Sequence, residues 1–169
     1  MKTFRGLQAE ANKNKTVTFI IGPPGVGKTT YIKREGLKNV LSRDEIVMNH
    51  GHKLGLNNYN LIFSKIDQNS VNKELNLKFD QLINNGKNFV IDMTMMNRKS
   101  RSKFLSRIPK HYRKIAVAFE TDLSTLKARN KMRTAEGKNL PVNLLQQMLS
   151  NYEPPTEEEG FDDIEIKKI

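Results

Sequence analysis

The stretch Thr16–Thr30, TVTFIIGPPGVGKTT, decides the fold of this chain. It begins with a run of apolar and β-branched residues, Val17–Ile21, which is typical of a short buried strand. Gly22–Thr29, GPPGVGKT, follows at once and matches the pattern G-x-x-x-x-G-K-S/T without a mismatch. A strand that runs into this pattern, with a helix starting at its end, predicts a loop whose backbone holds phosphate groups.

The residue types in this loop predict how it binds a nucleotide. Gly22 lets the chain turn away from the strand, and Gly25 and Gly27 can adopt positive φ angles at which a side chain would clash. The two prolines after Gly22 have no N–H, so the amides from Gly25 to Thr29 hold the phosphates at the start of a helix. Lys28 reaches the β- and γ-phosphates, and the Thr29 hydroxyl is a ligand for Mg²⁺. With ATP and Mg²⁺ as the expected cofactors, the predicted binding residues of the loop are Gly22, Gly25, Val26, Gly27, Lys28, Thr29 and Thr30.

The composition limits the class of protein. A chain of 169 residues is long enough for one domain with a sheet covered on both faces. It has no cysteine, which excludes disulfides and thiolate metal sites and permits a reducing compartment. The net charge of +11 has two interpretations, a phosphate-rich partner such as a nucleic acid or an unspecific bias in composition.

The N-terminus differs in character from the rest of the chain. Residues 1–15 are basic and lack an apolar core segment, which predicts a mobile arm and not a signal peptide. No apolar run approaches the ~18 residues of a membrane span. We therefore expect one domain over residues 16–169, with no membrane partner and a location in the cytoplasm, or in the host cytoplasm for a viral chain.

A second short strand, Asn39–Leu41, is predicted to precede a helix. Ser42 and Glu45 have the S-x-x-E spacing of a capping box. Two interpretations of Asp44, which lies between them, stay open. As a carboxylate in the first helical turn it is favourable against the helix dipole and needs no catalytic role. As a carboxylate just beyond a strand end it can be the general base of a ligand site.

The third predicted strand, Asn88–Thr94, ends in a carboxylate, Asp92. A carboxylate at a strand end beside a phosphate loop is where Mg²⁺ is held, so Asp92 is a candidate metal-side residue, with a helix cap as the alternative. The amphipathic helix before this strand, Asn69–Asn85, is predicted from apolar residues at helical spacing. These residues are Val71, Leu75, Leu77, Phe79, Leu82 and Ile83.

Arg98–Lys114 is rich in lysine and arginine and contains no acid. Phe104, Leu105 and Ile108 give it a thin apolar stripe, so the pattern predicts one helix with a basic outer face. That face is either solvated or a track for the phosphates of a nucleic acid. Ile115–Phe119 follows as the fourth predicted buried strand.

A lid is predicted after the fourth strand. Thr121 or Asp122 can cap a helix there, and Arg129 and Arg133 share one of its faces because they lie four residues apart. A polar, flexible loop over residues 134–139 follows, and a further helix is expected over residues 142–152, with Pro141 at its first position. An arginine-bearing helix with a mobile loop predicts a lid over the nucleotide, and a basic solvated helix is the alternative. The inward residues of the first lid helix are expected to be Leu123, Leu126 and Met132.

Two segments give weaker signals. Residues 49–69 are turn-rich and aperiodic, and His50 and His52 there are expected to be exposed loop residues because no third metal ligand is in sight. Residues 153–165 are acidic, and Ile164–Ile166 alternates like a short strand at a sheet edge. The alternation of strands and helices predicts an α/β fold with a mostly parallel, doubly wound sheet and helices on both faces.

In this order the motifs resemble the kinase domain of 5′-polynucleotide kinases, both the bacteriophage type and the kinase half of the animal kinase–phosphatases. The matching segments run from about Thr16 to the C-terminus: GPPGVGKTT, SRDE, VIDMT, LKARNKMR and PPTEEEGFDDIEI. The resemblance implies a P-loop NTPase fold with a helical lid. It also implies phosphoryl transfer from ATP to the 5′-hydroxyl of DNA or RNA, so the partner is a nucleic acid 5′ end. No Asp-x-Asp-x-Thr phosphatase motif is present, so the chain would be a kinase alone.

The resemblance also implies roles for single residues. Asp44 would be the general base, and Asp92 and Thr94 would form the Asp-x-Thr strand end. Arg129 and Arg133 would lie in the lid near the ATP phosphates and, with Lys28, would belong to the catalytic set.

Two positions depart from the pattern of these kinases. Val47 stands where the phage enzymes have an arginine that grips a substrate phosphate, and Met95 stands where an asparagine is common. Both changes concern the nucleic-acid side of the site. A kinase for another hydroxyl, on a modified base or a small metabolite, and an ATPase or nucleotide-dependent binding module therefore remain alternatives.

Overall fold

The structure is a computed structural model and describes residues 15–169. The predicted basic arm lies outside the described residues, apart from Lys15. That residue already belongs to the first strand, so the strand begins earlier than predicted. The division of the chain into an arm and one domain stays a prediction.

Within residues 15–169 five strands form one sheet, and every pairing among them is parallel. The order across the sheet is β2-β3-β1-β4-β5. This confirms the predicted parallel sheet, with the tail strand at its edge. The strands are β1 (Lys15–Ile21), β2 (Val40–Ser42), β3 (Phe89–Asp92), β4 (Tyr112–Glu120) and β5 (Asp163–Lys168).

Seven α-helices occur within residues 15–169, together with 3₁₀ turns at Thr134–Glu136 and Glu157–Glu159. Among these residues no helix is long and apolar enough to cross a membrane. The helices are α1 (Lys28–Arg34), α2 (Arg43–Lys53), α3 (Tyr59–Lys65), α4 (Gln68–Asn84), α5 (Arg98–Leu105), α6 (Leu123–Met132) and α7 (Val142–Ser150).

The two faces of the sheet carry separate apolar cores, as a doubly wound fold requires. On one face, Phe19 and Ile91 belong to a large cluster that takes in buried residues of α2, α3, α4 and α5. On the other face, Ile20 and Val90 pack with Ile32 of α1. Neighbouring residues of one strand thus point to opposite layers, which is the two-residue period of a strand.

The strand register brings the candidate site residues to one edge of the sheet. Asp92 is the last residue of β3, and it lies opposite Ser42 of β2 and Ile20 of β1. Asp44 comes two residues after Ser42, and the glycine-rich loop starts two residues after Ile20. Because parallel strands end at the same edge, β3 places Asp92 between the other two segments.

The predicted helix Arg98–Lys114 is wrong. Its helical part, α5, ends at Leu105, and Tyr112 already starts β4. Pro109 lies between them and has no N–H with which to continue a helix. The basic outer face is wrong in part, because Arg101 is 0% exposed.

The buried guanidinium of Arg101 binds the tail of the chain. It donates to both carboxylate oxygens of Glu159, each at 2.7 Å, and to the carbonyl oxygens of Met95 at 3.1 Å and Glu153 at 2.9 Å. A bidentate arginine–carboxylate pair with further carbonyl acceptors satisfies a charge that would be costly to bury alone. The acidic tail therefore packs against α5 and does not only balance the net charge.

Several smaller expectations also need correction. Leu77 is 59% exposed and Met132 is 80% exposed, so neither lies on an inner helix face. His50 and His52 lie in α2 and not in a loop, and the His50 ring is hydrogen-bonded to Glu74 at 2.8 Å. Pro141 is the N-cap of α7 and not its first residue.

Candidate active site

The glycine-rich loop has the shape that its sequence predicts. Gly25 has a φ angle of +82° and Gly27 one of +108°, so both lie in the left-handed region that L side chains rarely adopt. A Cβ at position 25 would lie 3.2 Å from the Cδ atom of Arg133. Gly27 is the N-cap of α1, so the loop opens directly onto a helix N-terminus, which favours an anion.

The Lys28 side chain folds back over this loop. Its ammonium donates to the carbonyl oxygen of Gly22 at 2.8 Å and to that of Pro23 at 3.1 Å. Burial lowers the pKa of Lys28 from 10.5 to about 8, although the nearby carboxylates of Asp92 and Asp44 oppose this shift. Lys28 is therefore a cation held at the phosphate loop by backbone oxygens, which phosphate oxygens can replace.

Asp92 and Asp44 face the same lysine. Burial raises the pKa of Asp92; the Lys28 ammonium opposes the shift and the charge of Asp44 adds to it. Since Asp44 acts on both of these groups, the structure brings all three together at the ends of β1, β2 and β3. Perturbed titratable groups that lie close to one another are typical of functional sites.

The helix-capping role near Asp44 belongs to Ser42. The Ser42 hydroxyl accepts a hydrogen bond from the Glu45 amide at 3.4 Å, which is the capping half of the predicted box. The Asp44 carboxylate instead accepts a hydrogen bond of 2.6 Å from the Tyr59 hydroxyl. Asp44 is exposed and lies in the first turn of α2, where the helix dipole also favours a carboxylate, so both interpretations of Asp44 stay open.

Tyr59 is the site residue that the sequence did not reveal. It starts α3, inside the turn-rich segment without periodicity. Burial and the adjacent Asp44 raise the pKa of its phenol well above the usual range, so it stays a proton donor. The only sequence signal was an aromatic pair at helical spacing, Tyr59 and Phe63.

The two predicted lid arginines both pack on the phosphate loop. Arg129 donates from Nη1 to the carbonyl oxygen of Val26 at 2.8 Å. Arg133 lies over Gly25, and its Nη1 atom is buried without a hydrogen-bond partner among the described residues. A buried guanidinium nitrogen without an acceptor is energetically costly unless a bound ligand accepts its hydrogen bond.

These observations fit a nucleotide with a divalent cation. Gly25 and Gly27 let the side chains of Arg133 and Arg129 approach the loop backbone, and the unpaired Nη1 of Arg133 is a donor that a phosphate oxygen can complete. Thr29 and Asp92 are oxygen ligands of the kind that Mg²⁺ prefers. Within residues 15–169 no three His, Cys, Asp or Glu side chains gather as a metal cluster.

The loop after the lid helix α6 is bonded to α6 and to α3. The Asn130 side chain donates to the carbonyl oxygen of Leu140 at 2.7 Å and accepts from its amide at 2.8 Å. From α3, the Asn60 side chain donates to the Asn139 carbonyl at 3.1 Å. The predicted flexible loop therefore has a 3₁₀ turn and a contact with α3, while its mobility stays a prediction.

The two departures from the kinase pattern lie in the protein interior. Val47 is 0% exposed in the large core, so this side chain does not reach the surface of α2. Met95 is buried and has a positive φ angle of 42°, a conformation that asparagine tolerates better than methionine. Its carbonyl oxygen accepts from Arg101, so this stretch holds the buried cation.

The arginines of the basic stretch 98–114 form ion pairs within the fold. Arg107 donates to Asp80 at 2.6 Å, and Arg113 donates to Asp163 at 2.6 Å. Arg98 lies 3.7 Å from Glu158, and Arg101 is buried against Glu159. The arginines of residues 98–114 thus have acidic partners within the fold, which favours the solvated-face interpretation of this stretch.

Comparisons with known proteins agree with the fold. The model of the AAA_33 family, described as AAA domain, matches residues 17–155. A solved chain of the PezAT toxin–antitoxin system of Streptococcus pneumoniae is 21% identical, with a TM-score of 0.59 over 97% of this chain and 73% of that one.

Two sugar-acting enzymes have the same fold. A sugar kinase from Janibacter sp. HTCC2649 is 17% identical, with a TM-score of 0.57 over 91% of this chain and 85% of that one. A gluconokinase from Sinorhizobium meliloti 1021 is 15% identical, with a TM-score of 0.53 over 94% and 84%. At these identities the likeness shows the fold and not the substrate, and the resemblance to polynucleotide kinases stays a prediction. The chain belongs to the AAA_33 family and has a P-loop kinase-like fold, which implies the use of a nucleotide.

Proposed function

We propose that this protein is an ATP-dependent kinase and that its acceptor is the 5′-hydroxyl of DNA or RNA. The observation that carries the kinase activity is the position of the Asp44 carboxylate. It is exposed at the edge where Lys28 and the phosphate loop lie, and it perturbs the pKa of Lys28. A protein that only binds a nucleotide needs no carboxylate there, so this position argues against a mere binding module.

The loop and the lid would hold the triphosphate. The amides from Gly25 to Thr29 point their donors at the α- and β-phosphates, as the helix N-terminus favours. Lys28 exchanges its bonds with the Gly22 and Pro23 carbonyls for bonds to phosphate oxygens. Thr29 and Asp92 would hold Mg²⁺, which neutralises charge on the phosphates when it is bound.

Asp44 would act as the general base. Its carboxylate takes the proton of the incoming hydroxyl while the hydroxyl oxygen bonds to the γ-phosphorus, and the bond from phosphorus to the β–γ bridging oxygen breaks to release ADP. Tyr59 donates to one oxygen of Asp44 and so orients the carboxylate. Arg133 and Arg129 stabilise the charge that builds on the γ-oxygens from the lid side.

The acceptor is argued from the resemblance and from the net charge of +11. A second candidate is a kinase for a small-molecule hydroxyl. Two observations favour it: Val47 lies in the core where phage kinases grip a phosphate, and the two sugar-acting enzymes share this fold. An ATPase without an acceptor is the third possibility.

One assay separates these candidates. The protein is incubated with γ-labelled ATP and Mg²⁺, together with 5′-hydroxyl oligonucleotides, 5′-phosphorylated oligonucleotides, nucleosides or gluconate. Label only on 5′-hydroxyl ends supports the proposed function. Label on an already phosphorylated oligonucleotide identifies base chemistry, label on gluconate identifies a sugar kinase, and free phosphate alone identifies an ATPase. Each of these other results overturns the proposed acceptor.

A further inference from the structure

We propose that Phe63, Tyr59 and Arg43 form a subsite for the terminal nucleotide of the acceptor, called here the acceptor subsite. The base of that nucleotide would stack on the exposed surface of Phe63, and its 3′-phosphate would bind Arg43. The inference deepens the proposed function and rests on it, because the subsite borders the general base.

The aromatic part of the subsite is a stacked pair on one face of α3. The rings of Tyr59 and Phe63 lie 6.1 Å apart between centroids, with 28° between their planes. Phe63 keeps 45% of its surface exposed, although a large apolar ring is normally covered when the fold offers a place for it. An exposed aromatic ring is a platform on which a nucleic-acid base can stack.

The pair is joined directly to the catalytic carboxylate. The Tyr59 hydroxyl lies 2.6 Å from an Asp44 carboxylate oxygen, and Phe63 follows one helical turn later. The lid contacts α3 at Asn60, the residue after Tyr59. A nucleotide whose 5′-hydroxyl is at Asp44 would extend along α3 from Tyr59 towards Phe63.

Arg43 supplies a positive charge at the same place. Its guanidinium carbon lies 5.8 Å from the Phe63 ring centroid, and Arg43 precedes Asp44 in the chain. It donates to two neutral oxygens, that of Gln68 at 2.5 Å and that of Asn72 at 3.4 Å. No carboxylate within residues 15–169 forms an ion pair with it, unlike the arginines of α5. Its charge is thus held in place and available to a phosphate.

The chemistry of this surface suits a nucleotide better than a sugar. A sugar acceptor needs hydrogen-bonding groups that converge on its hydroxyls, and the Gln68 and Asn72 oxygens here already bind Arg43. A base needs only a flat apolar ring, and a phosphate needs an arginine fork. Stacking of this kind tolerates any base, so the subsite would recognise a nucleic acid end without reading its sequence.

The decisive experiment compares acceptors that differ only in the terminal base. We would measure kcat/KM with γ-labelled ATP for a 5′-hydroxyl oligonucleotide and for the same oligonucleotide with an abasic first nucleotide. The wild type should prefer the base-bearing end by roughly 5- to 150-fold. Phe63→Ala should reduce this preference to near unity. Leu61→Ala is the matched control, since Leu61 is also exposed on α3 but lies outside the stacked pair, and it should keep the preference.

Arg43 has its own comparison. The wild type should use a nucleoside 3′-monophosphate better than the corresponding nucleoside, and Arg43→Gln should lose that advantage while keeping the preference for a base. An Arg43→Gln enzyme that still prefers the 3′-monophosphate would remove the phosphate contact from the proposal.

A binding measurement keeps the test independent of turnover. The chain has no tryptophan, so Phe63→Trp introduces a single reporter. Its fluorescence should change when a 5′-hydroxyl oligonucleotide is added and should not change with an abasic-ended one. Equal labelling of base-bearing and abasic ends, or an unresponsive tryptophan, overturns the subsite while the proposed function stands. Transfer to gluconate with none to oligonucleotides overturns the proposed function and the subsite with it.

Discussion

The backbone carbonyl of Gly137 accepts a hydrogen bond of 2.9 Å from the backbone amide of Asn60. Gly137 belongs to the lid loop, and Asn60 is the neighbour of Tyr59, which holds the Asp44 carboxylate. The contact of the lid with α3 and the contact that orients Asp44, the proposed general base, therefore involve adjacent residues.

We predict that Gly137→Ala impairs turnover by roughly tenfold or more, since lid closure gates catalysis in enzymes of this kind. An added Cβ would collide with the Asn58 side chain, so the lid loop could not approach α3. Gly55→Ala is the control. Gly55 has a φ angle of +72° against +62° for Gly137, but an added Cβ there meets nothing. Both variants should lose similar stability in thermal melts, and equal turnover would contradict the role of this contact.

Nucleotide affinity should fall at alkaline pH. Burial lowers the pKa of Lys28 to about 8, so the free protein loses this proton as the pH rises through that value, whereas phosphate binding needs the charged form. We expect roughly tenfold weaker ADP binding at about pH 9 than at about pH 7, measured by calorimetry. Lys28→Arg should bind with little pH dependence over this range because arginine does not titrate there. An equally flat profile for the wild type would contradict the lowered pKa.

Asp44→Asn should reduce phosphoryl transfer by ~10²–10⁴-fold and leave nucleotide affinity almost unchanged. The amide keeps the hydrogen bond to Tyr59 but cannot take a proton from the acceptor. Glu45→Gln is the matched control, because Glu45 is also exposed in the first turn of α2. The backbone amide of Glu45 donates to the Ser42 hydroxyl, and this substitution leaves that bond in place. Single-turnover assays measure both variants. A near wild-type rate for Asp44→Asn would exclude Asp44 as the base.

Arg133→Ala should slow turnover by as much as ~10³–10⁵-fold while oligonucleotide binding weakens far less. The Arg133 side chain lies over Gly25 of the phosphate loop, and its buried Nη1 atom has no hydrogen-bond partner among the described residues. Lys131→Ala, at an exposed cation of the same helix, should have little effect on either quantity. If Arg133→Ala instead weakened oligonucleotide binding more than turnover, Arg133 would belong to the acceptor side.

Arg101→Ala should destabilise the fold by about 3–5 kcal/mol, because it leaves Glu159 and two carbonyls buried without their donor. Arg98→Ala should cost about 0–1 kcal/mol, since Arg98 is half exposed and its ion pair with Glu158 is long. Urea denaturation gives both values. Similar losses for the two variants would show that the buried pair is not important for stability.

Short sequence patterns predicted much of the fold and of the candidate site. The phosphate loop, the strand ends with Asp44 and Asp92 and the lid arginines depend on residues close together in the sequence. Burial of Arg101 could not be predicted in this way, because its partner Glu159 is distant in the chain and a run of cations is normally solvated. Met132 was wrongly predicted to face inward for a related reason. Helical spacing shows which residues share a face of a helix but not whether other elements cover that face at each turn.

The Arg101–Glu159 pair also bears on the order in which the chain folds during its synthesis. On the ribosome, α5 emerges well before residue 159 is made. During that time the Arg101 guanidinium, which is buried in the finished fold, lacks the carboxylate of Glu159. Packing of α5 against the growing sheet is unfavourable during that interval. The chain should therefore complete its fold only when translation has passed the tail, and a stalled nascent chain that ends before residue 159 would stay open to proteases and chaperones.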